Sequence, residues 1–290
     1  MSRRCWLLFI AMGVIWGIPY LLIKVAVADL HPTALVLFRT VIGALLLIPW
    51  AAAQGWLRPL LPHWRAIIVY TAVEVALPWF LISDAERRLS SSLTGLLLAV
   101  VPSVGAVLVW LSATGDRIDS RRIAGLGLGF LGVAALVGLD VSFRDLGAVG
   151  EVLLVAVGYA VGPMIIARRL NDLPPVGVVA ASLGLTTLAY LPFGLLQFPS
   201  ALPPVQVVVS VAILGVVCTA LAFLLFFALI AEVGPARATV ITYVNPAVAL
   251  LLGVLILGEP FTLGAGAGFL LIVLGSYLAT KRSQMTAAAL

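Results

Sequence analysis

Four ionisable side chains stand inside long apolar runs of this chain: Lys24, Arg39, Glu74 and Glu151. A charge at the centre of a membrane helix costs roughly 2.5–3.5 kcal/mol on insertion scales, so such groups turn toward protein, water or a ligand rather than lipid. The chemistry available to them is binding. A cation attracts a carboxylate, and an acid attracts an ammonium or carries a proton. Glu74 lies near the middle of its run, which marks it as the candidate polar group of a solute path. Lys24, Arg39 and Glu151 lie within a turn or two of the ends of theirs. Arg39 reads as a snorkelling side chain or a structural link to a carbonyl. Lys24 and Glu151 are expected to meet, either as a structural ion pair or as a gate that contacts solute.

Helical spacing gives these groups company. Trp16, Tyr20 and Lys24 recur every four residues and share one helix face, as do Tyr70, Glu74 and Pro78. Glu151 and Tyr159 are two turns apart. Trp79, Phe223, Phe226, Phe227 and Tyr243 add aromatic surface to the candidate path. Gly13 and Gly17 form a small-xxx-small pair that admits a neighbouring helix closely. Pro19, Pro78, Pro102, Pro163 and Pro246 each remove a backbone donor inside an apolar run and free a carbonyl, which makes them hinge candidates. Thr239, Thr242 and Asn245, beside Pro246, are placed to satisfy such carbonyls.

Enzyme chemistry finds no support. His31 and His63 lie at run edges, and there is no HExxH, no phosphate loop and no cluster of metal ligands. Neither a cofactor nor a metal is expected. Cys5 and Cys218 sit far apart in apolar surroundings and read as small core residues. Asp84, Glu86, Arg87 and Arg88 read as a solvated, mutually paired turn.

The elements that must position these residues are membrane helices. Hydrophobic residues make up 63% of the chain and charged residues 10%, against about 25% charged in a soluble domain. Ten runs are each near the ~20 residues that cross a bilayer: about 6–28, 33–53, 64–84, 91–113, 121–139, 147–168, 175–198, 205–230, 238–257 and 262–280. None shows the two-residue alternation of a membrane barrel. The first follows Arg3 and Arg4 but is too long for a signal peptide, so it reads as a retained helix. With the N-terminus in the cytoplasm, twelve loop cations fall inside: Arg3, Arg4, Arg58, Arg65, Arg117, Arg121, Arg122, Arg168, Arg169, Arg237, Lys281 and Arg282. Only Arg87, Arg88 and Arg144 fall outside. That bias predicts both termini inside. The net charge of +5 is thus a topology signal rather than a nucleic-acid one.

The chain also repeats itself at an offset of 143–144 residues. Pro19 maps to Pro163, Pro32 to Pro175, Pro49 to Pro192 and Pro102 to Pro246. Gly115-Asp116 matches Gly258-Glu259, Gly125 matches Gly268 and Gly132 matches Gly275. Residues 1–140 and 141–290 are read as two five-helix units. An odd helix number inserts the second copy upside down, giving the inverted repeat that underlies alternating access in many transporters.

The segments WGIPYLLIK (16–24), FRT (38–40), LLLAVVPSVGAVLVWL (96–111) and VITYVNPAVALLLGVLILGEP (240–260), with the paired five-helix units, resemble the drug/metabolite transporter superfamily in its EamA branch. The likeness covers nearly the whole chain. It implies metabolite or drug export across the bacterial inner membrane through a central cavity between the repeats. Within the family it points to the aromatic amino acid exporters, whose substrates would stack on the aromatic residues named above. Where helix one has Trp16-Gly17, helix six has Tyr159-Ala160, which breaks any strict symmetry of roles. The expected function is export of large neutral or aromatic amino acids by alternating access, with facilitated diffusion and proton antiport both open. The alternatives are a carrier of cationic drugs, drawn by Glu74, and a non-transporting scaffold or sensor. The expected partners are a small-molecule substrate and membrane lipid, with no nucleic acid, and the chain is read as a monomer.

Overall fold

The computed structural model describes residues 3–112, 120–234 and 238–280. Gly115, Asp116, Arg117, Arg237, Lys281 and Arg282 lie outside the described residues.

Among the described residues the chain is all helix, with ten spans long and apolar enough to cross a membrane. These are α1 (Arg3–Ala26), α2 (Pro32–Ala53), α3 (Arg58–Ala85), α4 (Ser91–Leu111) and α5 (Ser120–Gly138). They continue as α6 (Phe143–Leu170), α7 (Pro175–Leu196), α8 (Val205–Val233), α9 (Val240–Leu257) and α10 (Leu263–Thr280). All ten sequence runs are present. The largest boundary differences are at α3 and α6, which begin early with the 3-10 turns Arg58–His63 and Phe143–Asp145. At α3 the cause is Pro59 and Pro62, whose fixed φ and missing N–H suit a short tight turn.

Caps set two helix starts. The Thr33 amide donates to His31 Nδ1 at 3.4 Å ahead of α2. Burial, with Arg87 nearby, holds the His31 pKa below its ordinary value, which keeps that nitrogen an acceptor. The Leu93 amide donates to Ser90 Oγ at 3.1 Å at the start of α4.

All five hinge-candidate prolines lie at or near a departure from α geometry, whereas Pro49 and Pro192 sit within regular α-helix. Before Pro19, α1 breaks at Trp16 and Gly17, and the Gly17 amide turns back to the Val14 carbonyl at 3.0 Å. Before Pro102, α4 breaks at Ala99 and Val100, and the Ser276 hydroxyl of α10 donates to the freed Ala99 carbonyl at 3.2 Å. Pro78 follows the π turn Thr71–Ala76, Pro163 precedes the π turn Ile166–Leu170, and Pro246 follows the 3-10 turn Thr239–Tyr243. A third π turn, Val216–Leu221 in α8, has no proline and gave no sequence signal.

Small residues let the spans meet, as expected where lipid supplies no hydrophobic drive between helices. α5 packs on α10 backbone to backbone. A Cβ on Gly125 would lie 2.7 Å from the Gly275 carbonyl oxygen, and one on Gly132 would lie 2.8 Å from that of Gly268. α2 pairs with α7, where the Thr187 hydroxyl donates to Thr40 Oγ1 at 3.1 Å. Gly13 and Gly17 receive Val244 and Val248 of α9, the close approach their spacing implied. α6 meets α3 at Gly158 and Gly162.

Arg3 and Thr280, the first and last described residues, lie at one end of the bundle, here the near end. Arg4 pairs there with Glu232 at 3.0 Å, and the Tyr243 hydroxyl lies 3.4 Å from Thr280 Oγ1. At the opposite, far end, the first half of α4 (Ser91–Leu98) packs on α9, with Gly95 against Ala249 and Gly253 against Ser92. The second half of α4 (Val101–Ser112) turns away to pack on α6 and α10.

Candidate functional site

Two clusters of polar and charged side chains emerge, one midway through the bundle and one at the far end.

The central cluster is built on Arg39. The sequence reading as a snorkelling chain is overturned, since Arg39 is 7% exposed. Its guanidinium carbon lies 3.6 Å over the Trp79 ring centroid, and Nε donates to Thr219 Oγ1 at 3.0 Å. The π turn in α8 positions that hydroxyl, which in turn donates to the Leu214 carbonyl at 2.8 Å. Tyr20 and Tyr159 lie within electrostatic range of the guanidinium. Trp79 is therefore covered by a cation rather than presented as open aromatic surface. Arg39 is seven residues into α2, about 10 Å of helix, too deep for its head group to reach the interface without leaving protein.

Glu74 sits on the π turn of α3. Its Oε2 is enclosed against Gly162 with no hydrogen-bond partner, and a Cβ at Gly162 would collide with it. Its depth agrees with its place near the middle of the sequence run. Tyr70 lies within electrostatic range of Glu74 but packs into a separate cluster with Leu60, Ile67, Leu170 and Val178.

Aromatic residues form a half-buried wall beside this centre. Trp16 lies 4.6 Å from Phe226 and 5.9 Å from Phe223, and Phe223 stacks on Phe227 at 6.2 Å. The α1 break places Trp16 there. Oriented to satisfy both of its amide atoms, Asn245 donates to the carbonyls of Ile241 at 3.0 Å and Gly13 at 3.2 Å. Gly13 lost its helical partner to the break, so Asn245 repairs α1 from α9. Tyr243, at the near rim beside Thr280, is not brought to this wall.

The far-end cluster corrects the expected Lys24–Glu151 pair. Lys24 Nζ donates to the carbonyls of Glu86 at 2.6 Å and Leu89 at 2.7 Å, satisfying the orphan acceptors at the end of α3. Glu151 Oε1 accepts instead from Arg88 at 2.7 Å, and Arg88 also holds Asp84 at 2.8 Å. The bond to Glu151 raises the Arg88 pKa above its ordinary value.

Glu86 is a second correction. Asp84, Arg87 and Arg88 do form a mutually paired turn, but Glu86 is 0% exposed and neither carboxyl oxygen has a partner. Burial pushes its pKa well above the carboxylate range, with Lys24 opposing and Glu259 adding. The available signal was apolar flanking at helical spacing, because Ile82 and Leu89, four residues before and three after it, are both buried. Glu259, noted in sequence only as a repeat landmark, accepts from the Ser91 and Ser92 amides at 2.8 and 2.9 Å and from the Ser92 hydroxyl. A carboxylate on those amides opposes the positive end of the α4 dipole.

With this architecture in view, the comparisons place the chain. A profile of the EamA-like transporter family matches twice, over residues 3–138 and 148–281. The chain belongs to that family of polytopic membrane transporters. It is 26% identical over 292 residues to the uncharacterized transporter YvbV of Bacillus subtilis strain 168, covering 99% of this chain and 95% of that one. It is 26% identical over 284 residues to the uncharacterized inner membrane transporter YedA of Escherichia coli K12, covering 92% and 90%. A solved crystal structure at 21% identity covers 97% of both chains with a TM-score of 0.67, a likeness of fold.

Proposed function

We propose that the protein exports large neutral or aromatic amino acids and related metabolites across a bacterial inner membrane by alternating access, with both termini in the cytoplasm and the monomer as the working unit. The observation that carries this reading is the half-buried wall of Trp16, Phe223, Phe226 and Phe227, which adjoins polar groups deep in the bundle. A flat apolar side chain would stack on it, worth about 0.5–1.5 kcal/mol per ring pair beyond area burial.

The inverted-repeat reading, residues 1–140 against 141–290, is supported by crosswise contacts. Gly125 meets Gly275 while Gly132 meets Gly268, so each member of one copy meets the other copy's opposite member. That pattern is what a two-fold axis produces. The π turns beginning at Thr71 and Val216 recur 145 residues apart. Closure at the far end, with α4 leaving α9 toward the near end, fits a state open to the cytoplasm.

Counterflow in proteoliposomes tests the reading. Internal unlabelled phenylalanine or tryptophan is expected to drive uptake of the labelled amino acid, and uptake without a pH gradient would identify facilitated diffusion. Transport of cationic aromatic drugs with no amino acid exchange would replace this reading by the one that Glu74 favours.

A further inference from the structure

Four arginines gather at the near end on two turns packed side by side. Arg58 begins the 3-10 turn that opens α3 and Arg65 follows it, while Arg168 and Arg169 lie on the π turn that closes α6. Direct packing holds these turns together. The stretch of α3 beginning at Trp64 packs on the π turn, and Leu60, Ile67, Leu170 and Leu173 are buried in one cluster. The turn before α3 also closes on α7, where a Cβ on Gly177 would lie 2.8 Å from the Trp56 carbonyl oxygen. The arginines therefore rim one continuous surface.

All four are exposed, and none has a carboxylate partner among the described residues. Arg4 and Arg88, by contrast, take Glu232 and the pair Asp84 and Glu151. Asp172 is the one acid in residues 54–65 and 166–173, and it forms no ion pair among the described residues. Like charges crowded without counter-charge repel one another, so the surface favours an anion from outside the chain.

The surroundings indicate what carries that anion. Leu61, 72% exposed, and Trp64, 54% exposed, stand among the arginines. The Arg65 guanidinium carbon lies 5.2 Å from the Trp64 ring centroid. Trp50 and Trp56 extend the aromatic surface past the end of α2, with ring centroids 5.8 Å apart. Tryptophan at the end of a span marks headgroup depth. A soluble anion gains nothing from Leu61 and Trp64. A phospholipid brings acyl chains to them and a phosphate to the guanidinium groups.

We propose that this face binds an anionic phospholipid of the near-end leaflet, its phosphodiester held by Arg58, Arg65, Arg168 and Arg169 and its chains lying against Leu61 and Trp64. A lipid seated there ties the near ends of α3 and α6 together. Binding depends on neither the transport reading nor the orientation, so it is measured apart from both.

Native mass spectrometry of the purified protein in mixed micelles would compare phosphatidylglycerol with phosphatidylcholine of the same chains. Phosphatidylglycerol is expected to bind about tenfold or more tightly. R58Q/R65Q and R168Q/R169Q are each expected to lose most of that preference, on the scale of about fivefold per arginine removed. R3Q/R121Q removes equal charge from α1 and α5, which contribute nothing to the shared cluster, and is expected to keep the preference. Millimolar inorganic phosphate, at an ionic strength matched with chloride, is expected not to displace the lipid.

Wild-type protein with no preference for phosphatidylglycerol overturns the proposal whatever the variants do. An equal loss in R3Q/R121Q overturns it in favour of general positive charge at this end. Displacement by inorganic phosphate overturns it in favour of a soluble anion.

Discussion

At the residue scale, the informative groups are those whose partners the sequence could not name. Glu86 is enclosed with no donor on its carboxyl group, facing Lys24 from α1, Glu259 from the turn before α10, and Asp84, Arg87 and Arg88 on its own turn. Its raised pKa in this structure means that the carboxyl group keeps its proton to higher pH here than in water, and alternating access, as proposed, would expose it. Exposure to water returns it toward the ordinary ~4.3, so opening the far end releases that proton. Each rise in pH above the ordinary value, up to the raised one, therefore favours opening, by up to about tenfold per unit. Labelling of Leu96→Cys, a buried residue behind the seal, measured over about pH 5 to 8 and divided by that of an exposed control cysteine to remove the thiol's own ionisation, is expected to rise with pH. E86Q is expected to flatten that profile. A wild-type profile already flat over this interval would refute the role. Lys24→Met is expected to leave two carbonyls without their donor and to cost about 1–3 kcal/mol of stability by thermal unfolding. That Lys24 mattered was legible in sequence. That it meets carbonyls rather than Glu151 was not, because one span's sequence does not reveal where the turn after α3 folds back.

At the element scale, the ten spans were legible because the length and apolarity of a bilayer crossing are local properties. The proline breaks were legible for the same reason, since a missing N–H acts on its own helix. The π turn Val216–Leu221 was hidden because it arises from packing against α2, where Gly215 receives Ile42 and Thr219 receives Arg39. Glycine positions separate in the same way. A Cβ on Gly132 would lie 2.7 Å from Ile272 Cγ1 and 2.8 Å from the Gly268 oxygen, whereas one on Gly127 meets nothing within 4 Å. Gly132→Ala is thus expected to destabilise the α5–α10 pair by about 1–3 kcal/mol. Gly127→Ala is expected to be neutral or to stabilise by up to about 1 kcal/mol. Paired thermal unfolding curves check both, and equal shifts for the two would contradict the packing.

At the scale of the whole molecule, the connections that hold the far end between residues 1–140 and 141–290 include Arg88 with Glu151, Glu259 on the first turn of α4, Gly95 against Ala249 and Gly253 against Ser92. The Arg88–Glu151 pair is partly exposed and worth at most about 1 kcal/mol. The Glu259 cap makes several charge-assisted bonds and should weigh more. E259Q is accordingly expected to raise Leu96→Cys labelling more than E151Q does, and the reverse order would shift the main latch to the salt bridge. The positive-inside bias predicts that a C-terminal epitope stays protected from protease in right-side-out vesicles. The central site was only half legible at this scale. Composition and depth singled out Glu74, but the bond from Arg39 to Thr219 spans 180 residues of sequence and exists only once α2 and α8 are side by side.

The π turns in α3 and α8 hold one more consequence. Each turn carries a residue in excess of an ordinary helical one, a feature frequent at functional sites. Moving it by one turn rotates the stretch it crosses by about 100°. Glu74 and Thr219 ride on those two stretches. Slack is thus stored where a carboxylate and a hydroxyl are mounted, and a shift of either turn would re-aim its side chain while both ends of the helix stay anchored.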